Sequence, residues 1–407
     1  MSCFDTVIVG AGAAGIAAAR RLVAVGQQVL VLEARNRVGG RALSSHVLGA
    51  PLDMGAAWLH FAEKNAWTTI ADATGFNVIR REPGWGSATF MGARAPTDIE
   101  RAEAEASFVQ YHALISAAAA AGRDVALSEV LPQDRYRTRF DAVMTWAVGA
   151  ESTQISSLDL ARYADSDHNW AVQEGLGAVV AAGAAGLPIQ LGVQVTGIDW
   201  TGPRLAIDST AGRIESRAVI VTLPTTVLAS GALHFTPPLP AAYVEGFHQL
   251  PLGIANKVFF QLGTDQFPDG QSRHFLGSAA SSRTCSYLVR PAGQPLLCAY
   301  FGGDLARELE LSGALVEFAK EELRNHFGSE FVAGLGASVA TAWGTDPLAR
   351  GSYSAALPGK AHCREVLATP VTPTLQFAGE ACSQEYYGTL HGAWLSGIAA
   401  AERVIAR

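Results

Sequence analysis

Residues 4–41 read FDTVIVGAGAAGIAAARRLVAVGQQVLVLEARNRVGGR, and the rest of the chain is arranged around them. Val7, Ile8 and Val9 form a short β-branched apolar run, the pattern of a strand buried on both faces. Gly10, Gly12 and Gly15 follow as G-x-G-x-x-G. The spacing predicts a helix from Ile16 to Val25, stopped by Gly26 in a left-handed conformation. Val29 to Leu32 is a second buried strand, closed by Glu33. Such a strand–helix–strand unit is of the dinucleotide-binding type. Gly10 permits the tight turn. Gly12 lets backbone approach a pyrophosphate whose charge sits on the helix N-terminus, and Gly15 lets helix and strand pack closely. Glu33 stands where a carboxylate accepts ribose hydroxyls, about 20 residues beyond the glycines. A lone G-x-G-x-x-G is often only a packing turn; here strand, helix and terminal acid are in register. An acid at this place disfavours a 2′-phosphate, so NADP is not expected.

Composition bounds the rest. The chain has 407 residues, 49% hydrophobic and 16% charged, enough for a large core in two or three domains. A net charge of -7 argues against a nucleic-acid or anionic-membrane surface and suits a cationic ligand. Five cysteines (Cys3, Cys285, Cys298, Cys363 and Cys382) are scattered without a C-x-x-C pair, which reads as reduced and cytoplasmic. The first strand begins within a few residues of Met1, so no signal peptide is expected, and no apolar run is long enough to span a bilayer. No internal repeat is visible.

Directly after the second strand comes RNRVGGR, residues 35–41. Gly39 and Gly40 allow a sharp turn, and Arg37 and Arg41 can reach a phosphate. Residues 53–61 read DMGAAWLHF, with Gly55, Ala56 and Ala57 small enough for a ring system to lie against backbone. On these motifs the first ~60 residues resemble the FAD-binding start of the flavin-dependent amine oxidases. That family comprises monoamine oxidases, polyamine oxidases and lysine-specific histone demethylases. The Gly-Gly-Arg element separates this flavin group from simple NAD dehydrogenases. His60, in G-A-A-W-L-H, matches a histidine that polyamine oxidases carry near their substrate site.

Further along, Thr97 and Glu100 make a capping box for a helix that Gly122 stops. Its poly-alanine tract, Ala117 to Ala121, reads as close-packed. Helices are also expected between Leu127 and Ala150. Residues 153–167 are polar and suggest a substrate entrance. Gly175 and Gly177 begin a helix leading to a strand over Ile189 to Ile198, whose Val195 resembles the family valine at the adenine. Ala218 to Leu223 is a buried strand, and Leu375 to Glu380 the last core strand. Ser312 is expected to cap a helix that runs to Phe327, with Gly328 its stop.

Gly253 to Leu262 is an apolar strand with one charge, Lys257, which is costly there without a partner. It resembles the lysine that holds a water at flavin N5. Trp343 and Tyr353 resemble the family's return segment to the flavin, Tyr353 forming an aromatic wall. Ser352 takes the place where monoamine oxidases carry a cysteine tethered to FAD, so the resemblance implies non-covalent FAD. Glu380 looks like the acid that bonds the cofactor, and Gly388 to Gly397 opens a final helix whose N-terminus points at the flavin. Thr389 stands where monoamine oxidases have a second tyrosine.

The resemblance therefore implies an α/β fold: a Rossmann-type FAD-binding domain (1–79, 168–233, 345–407) interleaved with an α+β substrate domain (80–167, 234–344) of mixed sheet plus helices. The implied cofactor set is Gly10, Gly12, Ala13, Ala14, Gly15, Glu33, Ala34, Arg35, Gly39, Gly40, Arg41, Gly55, Ala56, Ala57, Trp58, Val195, Trp343, Gly379, Glu380, Thr389 and Leu390. The implied catalytic set is Lys257, Tyr353, His60, Thr389 and Trp343, with no metal. The expected activity is amine oxidation with dioxygen as acceptor and hydrogen peroxide as product, by a monomer or homodimer. His60 can bond an amine and accept a proton near neutral pH. Glu63, Asp165, Asp167 and Glu174 are candidates for remote ammonium groups of a polyamine. Alternatives are an oxidase of another amine or alkaloid, a same-fold desaturase or amino-acid oxidase, and a flavin-bound scaffold without turnover.

Overall fold

In the computed structural model Cys3–Val9 is a strand, Ala13–Ala24 a helix and Val29–Glu33 a second strand parallel to the first. Residues 3–83, 85, 88–89, 94, 96–166, 168–278 and 280–407 are described. The helix starts three residues earlier than the apolar pattern suggests, because alanine needs no packing partner to be helical. Gly26 follows it at φ +81°.

These strands lie within an eight-stranded sheet. Its order is His234–Thr236, Val195–Asp199, Leu205–Ser209, Gly212–Val221, Cys3–Val9, Val29–Glu33 and Ile189–Leu191. Leu375–Phe377 pairs in parallel with the far half of Gly212–Val221. The expected strand over 189–198 is thus two strands on opposite sides of the sheet, separated at Gly192, whose φ is +70°. Both faces are covered, as the β-branched runs require. Ile8, Val31 and Ile220 face the helices, while Val7, Val9 and Val219 face Tyr243, Phe247 and Phe377. The final helix, Leu390–Ile405, lies against Ala13–Ala24.

A second sheet of six strands runs Ser338–Ala340, Ala255–Gln261, Leu296–Gly302, Ser286–Val289, Arg273–Leu276 and Ala88–Thr89. Alternation in Ala255–Gln261 sends Val258 and Phe260 into a core with helices Gly303–Ser312 and Leu315–Ala333. Phe259 points the other way, against Leu52 and Met54 of the first unit, and Lys257 shares its side of the pleat.

Two local expectations are corrected. Ser312 ends a helix rather than opening one, since its hydroxyl donates back to Glu308 O at 2.8 Å. Gly328, at φ +86°, does stop the following helix as expected, and a second short helix runs on to Ala333. In the capped helix Asp98–Ala120 only Ala118 of the poly-alanine tract is buried, so propensity and not packing accounts for that tract. Within the polar stretch 153–167, Ser156, Ser157 and Asp159 are buried, with Ser156 capping helix Ser157–Arg162, while Thr153, Gln154, Arg162 and Asp165 are exposed.

Gly397 is the point where the two ends of the chain touch. A Cβ there would sit 2.2 Å from Ala14 O. Gly397→Val is expected to force the two helices apart and cost about 1–3 kcal/mol, read as a lower urea midpoint and Tm.

Candidate functional site

The glycine-rich turn opens onto a cleft. Gly10, Gly12, Ala13, Ala14, Glu33, Ala34, Arg35, Gly39, Gly40, Arg41, Val195, Gly379, Glu380 and Leu390 all line it. Gly10 has φ +104°, and a Cβ there would meet Thr222 Oγ1 at 2.6 Å. A Cβ on Gly12 would lie 4.0 Å from Gly40 Cα, so two glycine loops face each other as bare backbone. Gly39 N–H donates to Ala11 O at 2.8 Å and fixes their spacing.

Glu33 is buried, with Oε2 accepting from Ala11 N–H at 2.8 Å and Oε1 from Arg35 N–H at 2.9 Å. Each carboxylate oxygen keeps acceptor capacity for a hydroxyl. Arg41 Nη1 donates to Glu380 Oε1 at 2.9 Å and to Ser352 O at 2.7 Å. Arg37 turns onto its own loop, donating to Gly40 O at 2.9 Å. Glu380 also accepts from Ser354 Oγ at 2.6 Å and Gly388 N–H at 2.8 Å. Burial opposes its charge, but Arg41 and Arg364 outweigh burial and hold the carboxyl below its ordinary range.

Behind Glu380 lies an ion pair the sequence did not reveal. Arg364, fully buried, donates from Nε and Nη2 to the two oxygens of Asp159 at 2.6 and 2.8 Å. Its Nη1 donates to Ser354 Oγ at 2.8 Å, and the guanidinium carbon lies 3.8 Å from the centre of the Tyr387 ring.

The remaining expected residues fall elsewhere. Gly15 sits beneath the turn, where a Cβ would be 2.0 Å from Gly10 O. Gly55 is small for a different reason from the one expected: a Cβ would be 1.8 Å from Arg41 O, so a crossing of two loops requires glycine. Ala56 N–H donates to the same Arg41 oxygen at 3.1 Å. Ala57 and Trp58 lead from this crossing to His60, and the Trp58 and Trp85 rings meet edge-on with centroids 5.3 Å apart.

Lys257 Nζ donates to Asp53 O at 2.7 Å and Gly55 O at 2.6 Å, while Trp343 Nε1 donates to Met54 O at 2.9 Å. Burial pushes the ammonium below the usual lysine range, against the pull of Cys298 and Asp53. Beside it, Tyr300 OH lies 2.8 Å from Tyr353 OH, which also bonds Trp146 O.

His60 pairs with Asn169 in the Leu59–His60/Asn169–Val172 ladder. Its Nδ1 lies 2.5 Å from Asn169 Oδ1. The amide oxygen needs a donor, so Nδ1 carries the proton and Nε2 is the free acceptor. Burial lowers its pKa below the ordinary histidine value, against the opposing effects of Asn169 and Asp165. The hydroxyl of Thr389 caps the last helix, accepting from Gly392 N–H at 2.9 Å and donating to Tyr386 O at 2.7 Å, so it has a structural task the resemblance did not imply. Of the acids, Glu63 is exposed beside His168 at 3.3 Å, and Glu174 accepts from Asn77 N–H at 3.0 Å. Asp165 acts electrostatically on His60, and Asp167 lies outside the described residues.

Fold and cleft are of the dinucleotide-binding type, and comparison with known proteins gives the class. The family model for flavin-containing amine oxidoreductases matches residues 13–110 and 135–405, and the chain belongs to that family. It is an amine oxidase with a flavin cofactor. Polyamine oxidase 2 of Arabidopsis thaliana is 29% identical over 98% of this chain and 87% of that protein. A putative flavin-containing monoamine oxidase of Mycobacterium tuberculosis, AofH, is 30% identical over 99% of this chain and 96% of its own length. Among solved structures, putrescine oxidase bound to putrescine matches with TM-score 0.83 and 22% identity over 100% of both chains. Cyclohexylamine oxidase from Brevibacterium oxydans IH-35A matches with TM-score 0.83 and 19% identity over 99% of this chain and 100% of that one.

The buried pair gives a clear expectation. Arg364→Met leaves Asp159 charged and unpaired in the core, a loss of about 3–5 kcal/mol. The double variant Arg364→Met/Asp159→Leu should regain at least half of it, measured by urea denaturation of all three proteins.

Proposed function

We propose that this chain binds FAD non-covalently in the cleft and oxidises a secondary or acetylated polyamine to its imine, reducing dioxygen to hydrogen peroxide. The carrying observation is that the glycine turn, Glu33 and the Arg41–Glu380 pair meet on one cleft. The backbone wall at Gly12 and Gly40 fits a pyrophosphate, and the free lone pairs of Glu33 fit a ribose. When bound, FAD supplies the hydride acceptor and the reaction with dioxygen.

The chain's own residues bind, orient and exclude. The helix starting at Leu390 offers a positive dipole end to the flavin. Lys257 has two of its three N–H groups on backbone carbonyls and keeps one for a water. His60 offers Nε2 to an amine N–H, and the relatives named as polyamine oxidases favour that substrate class. The proposed domain division is supported by the sheets. The six-stranded sheet draws on 80–167 and 234–344, and the eight-stranded one on the rest, His234–Thr236 excepted. A cytoplasmic location agrees with the free thiols of Cys285, Cys298, Cys363 and Cys382.

Ser352 Oγ donates to Ala255 O at 2.8 Å and accepts Ala255 N–H at 2.9 Å, so it is held to the backbone. Acid precipitation is expected to release all the flavin to the supernatant; yellow colour retained in the pellet would mean a tether.

Anaerobic mixing with a panel of amines tests the reaction. Acetylated polyamines should bleach the flavin faster than benzylamine, with colour and peroxide appearing on admission of air. His60→Ala should raise KM roughly tenfold, the scale of one lost hydrogen bond to a charged or strongly polar partner, and retain FAD. Because its pKa is lowered, His60 stays neutral above pH 7, and the variant's pH profile there should keep the wild-type shape. Benzylamine turning over faster than every polyamine would defeat the substrate assignment and leave a general amine oxidase.

A further inference from the structure

We propose that Tyr300 determines which ligands this site accepts, forming with Tyr353 a pair of phenol oxygens that can only accept, and so selecting an amine N–H donor. The inference rests on the amine-oxidase reading above.

Tyr300 lies on Leu296–Gly302, directly across the antiparallel ladder from Lys257. Lys257 Nζ is 6.0 Å from the centre of its ring. Trp146 and Leu276 support the ring from behind. The direction of the hydrogen bonds follows from chemistry. Trp146 O is a carbonyl and has no proton, so Tyr353 must donate to it. Tyr353's only proton is then spent, and the 2.8 Å contact between the two hydroxyls requires Tyr300 to donate. Neither phenol has a proton left, yet both oxygens keep lone pairs.

Burial also keeps both groups neutral. It pushes Tyr300 up to about 12 and Tyr353 well above the ordinary phenol range. A carboxylate or carbonyl at this wall would meet lone pairs with no hydrogen between them. An amine N–H would find an acceptor. The pair thus favours amines over the carboxylate end of an amino acid, and does so without a fixed negative charge.

The test is anaerobic stopped-flow reduction of the flavin-loaded protein by N-acetylspermine and by cyclohexylamine. Tyr300→Phe keeps the ring and removes the hydroxyl. It should weaken the apparent Kd of whichever amine reduces the wild type by about tenfold, as expected for one hydrogen bond. The limiting reduction rate should fall by less than about threefold, a split that a general loss of structure would not give. Tyr353→Phe breaks the same pair from the other side and reports on it should Tyr300→Phe not fold. The double variant should be no worse than the weaker single, because the two hydroxyls act as one unit. An unchanged Kd in Tyr300→Phe, with the wild type reduced normally, overturns the Tyr300 assignment alone. A wild-type flavin that neither amine nor any other amine of the panel reduces overturns the amine-oxidase reading, and this assignment with it.

Discussion

The carboxylate of Glu380 is the constraint on which the cleft depends. It is nearly dry, and it accepts from Arg41, from both the amide and hydroxyl of Ser354, and from Gly388 N–H. Leaving such a charge unpaired in the interior costs several kcal/mol, so the donors must arrive together or not at all. They come from three segments far apart in sequence. Arg364 then holds Ser354 from behind while gripping Asp159. One buried acid thereby ties the loop after the second strand, the return segment near residue 354, the final helix start and, through Arg364, a helix of the intervening chain. The cleft walls are the surfaces these segments leave between them.

How much of this could be read beforehand depends on the range of the forces involved. The opening unit is dictated by local sterics: glycine at positive φ, β-branched alternation, an acid at a strand end. Those signals sit within 30 residues or so, and the fold class followed from them. Lys257 stood out because a single charge interrupted an apolar strand. The Arg364–Asp159 pair had no such signal. Its members are separated by 205 positions, and each looks like an ordinary surface charge in its own segment. Tyr300 was likewise hidden, one aromatic among the apolar residues of an inner strand, and only the strand register brings it to Lys257. Thr389 is a different case. A threonine just before a helix is a preferred N-cap, so its capping role was legible from that local rule alone.

The turn at residues 53–55 shows why the two sheets come together where they do. A loop entering the interior must satisfy its carbonyl groups. Lys257 takes the carbonyls of Asp53 and Gly55, and Trp343 takes that of Met54. Both donors belong to the strands and return segment of the second unit. Gly55 can make the crossing only because it lacks a side chain, since Arg41 O occupies the space. The lysine is therefore part of the contact between the units before it is anything else, and its chemistry is available only where that contact is formed.

The distribution of charge then separates the two ends of the site. At the cofactor end the cations and acids are matched within the protein: Arg41 with Glu380, Arg364 with Asp159, Arg35 with Asp346. At the other end stand one ammonium, weakened by burial, two neutral phenols and a neutral imidazole. An incoming ammonium would be repelled by Lys257 and find no carboxylate among these groups. A neutral amine meets no such penalty. On the reading proposed above, its N–H would meet the acceptors at Tyr300 and Tyr353. Amines carry a proton near neutral pH because their pKa values lie near ~10. On the proposed reading, shedding that proton is therefore a condition of binding beside Lys257.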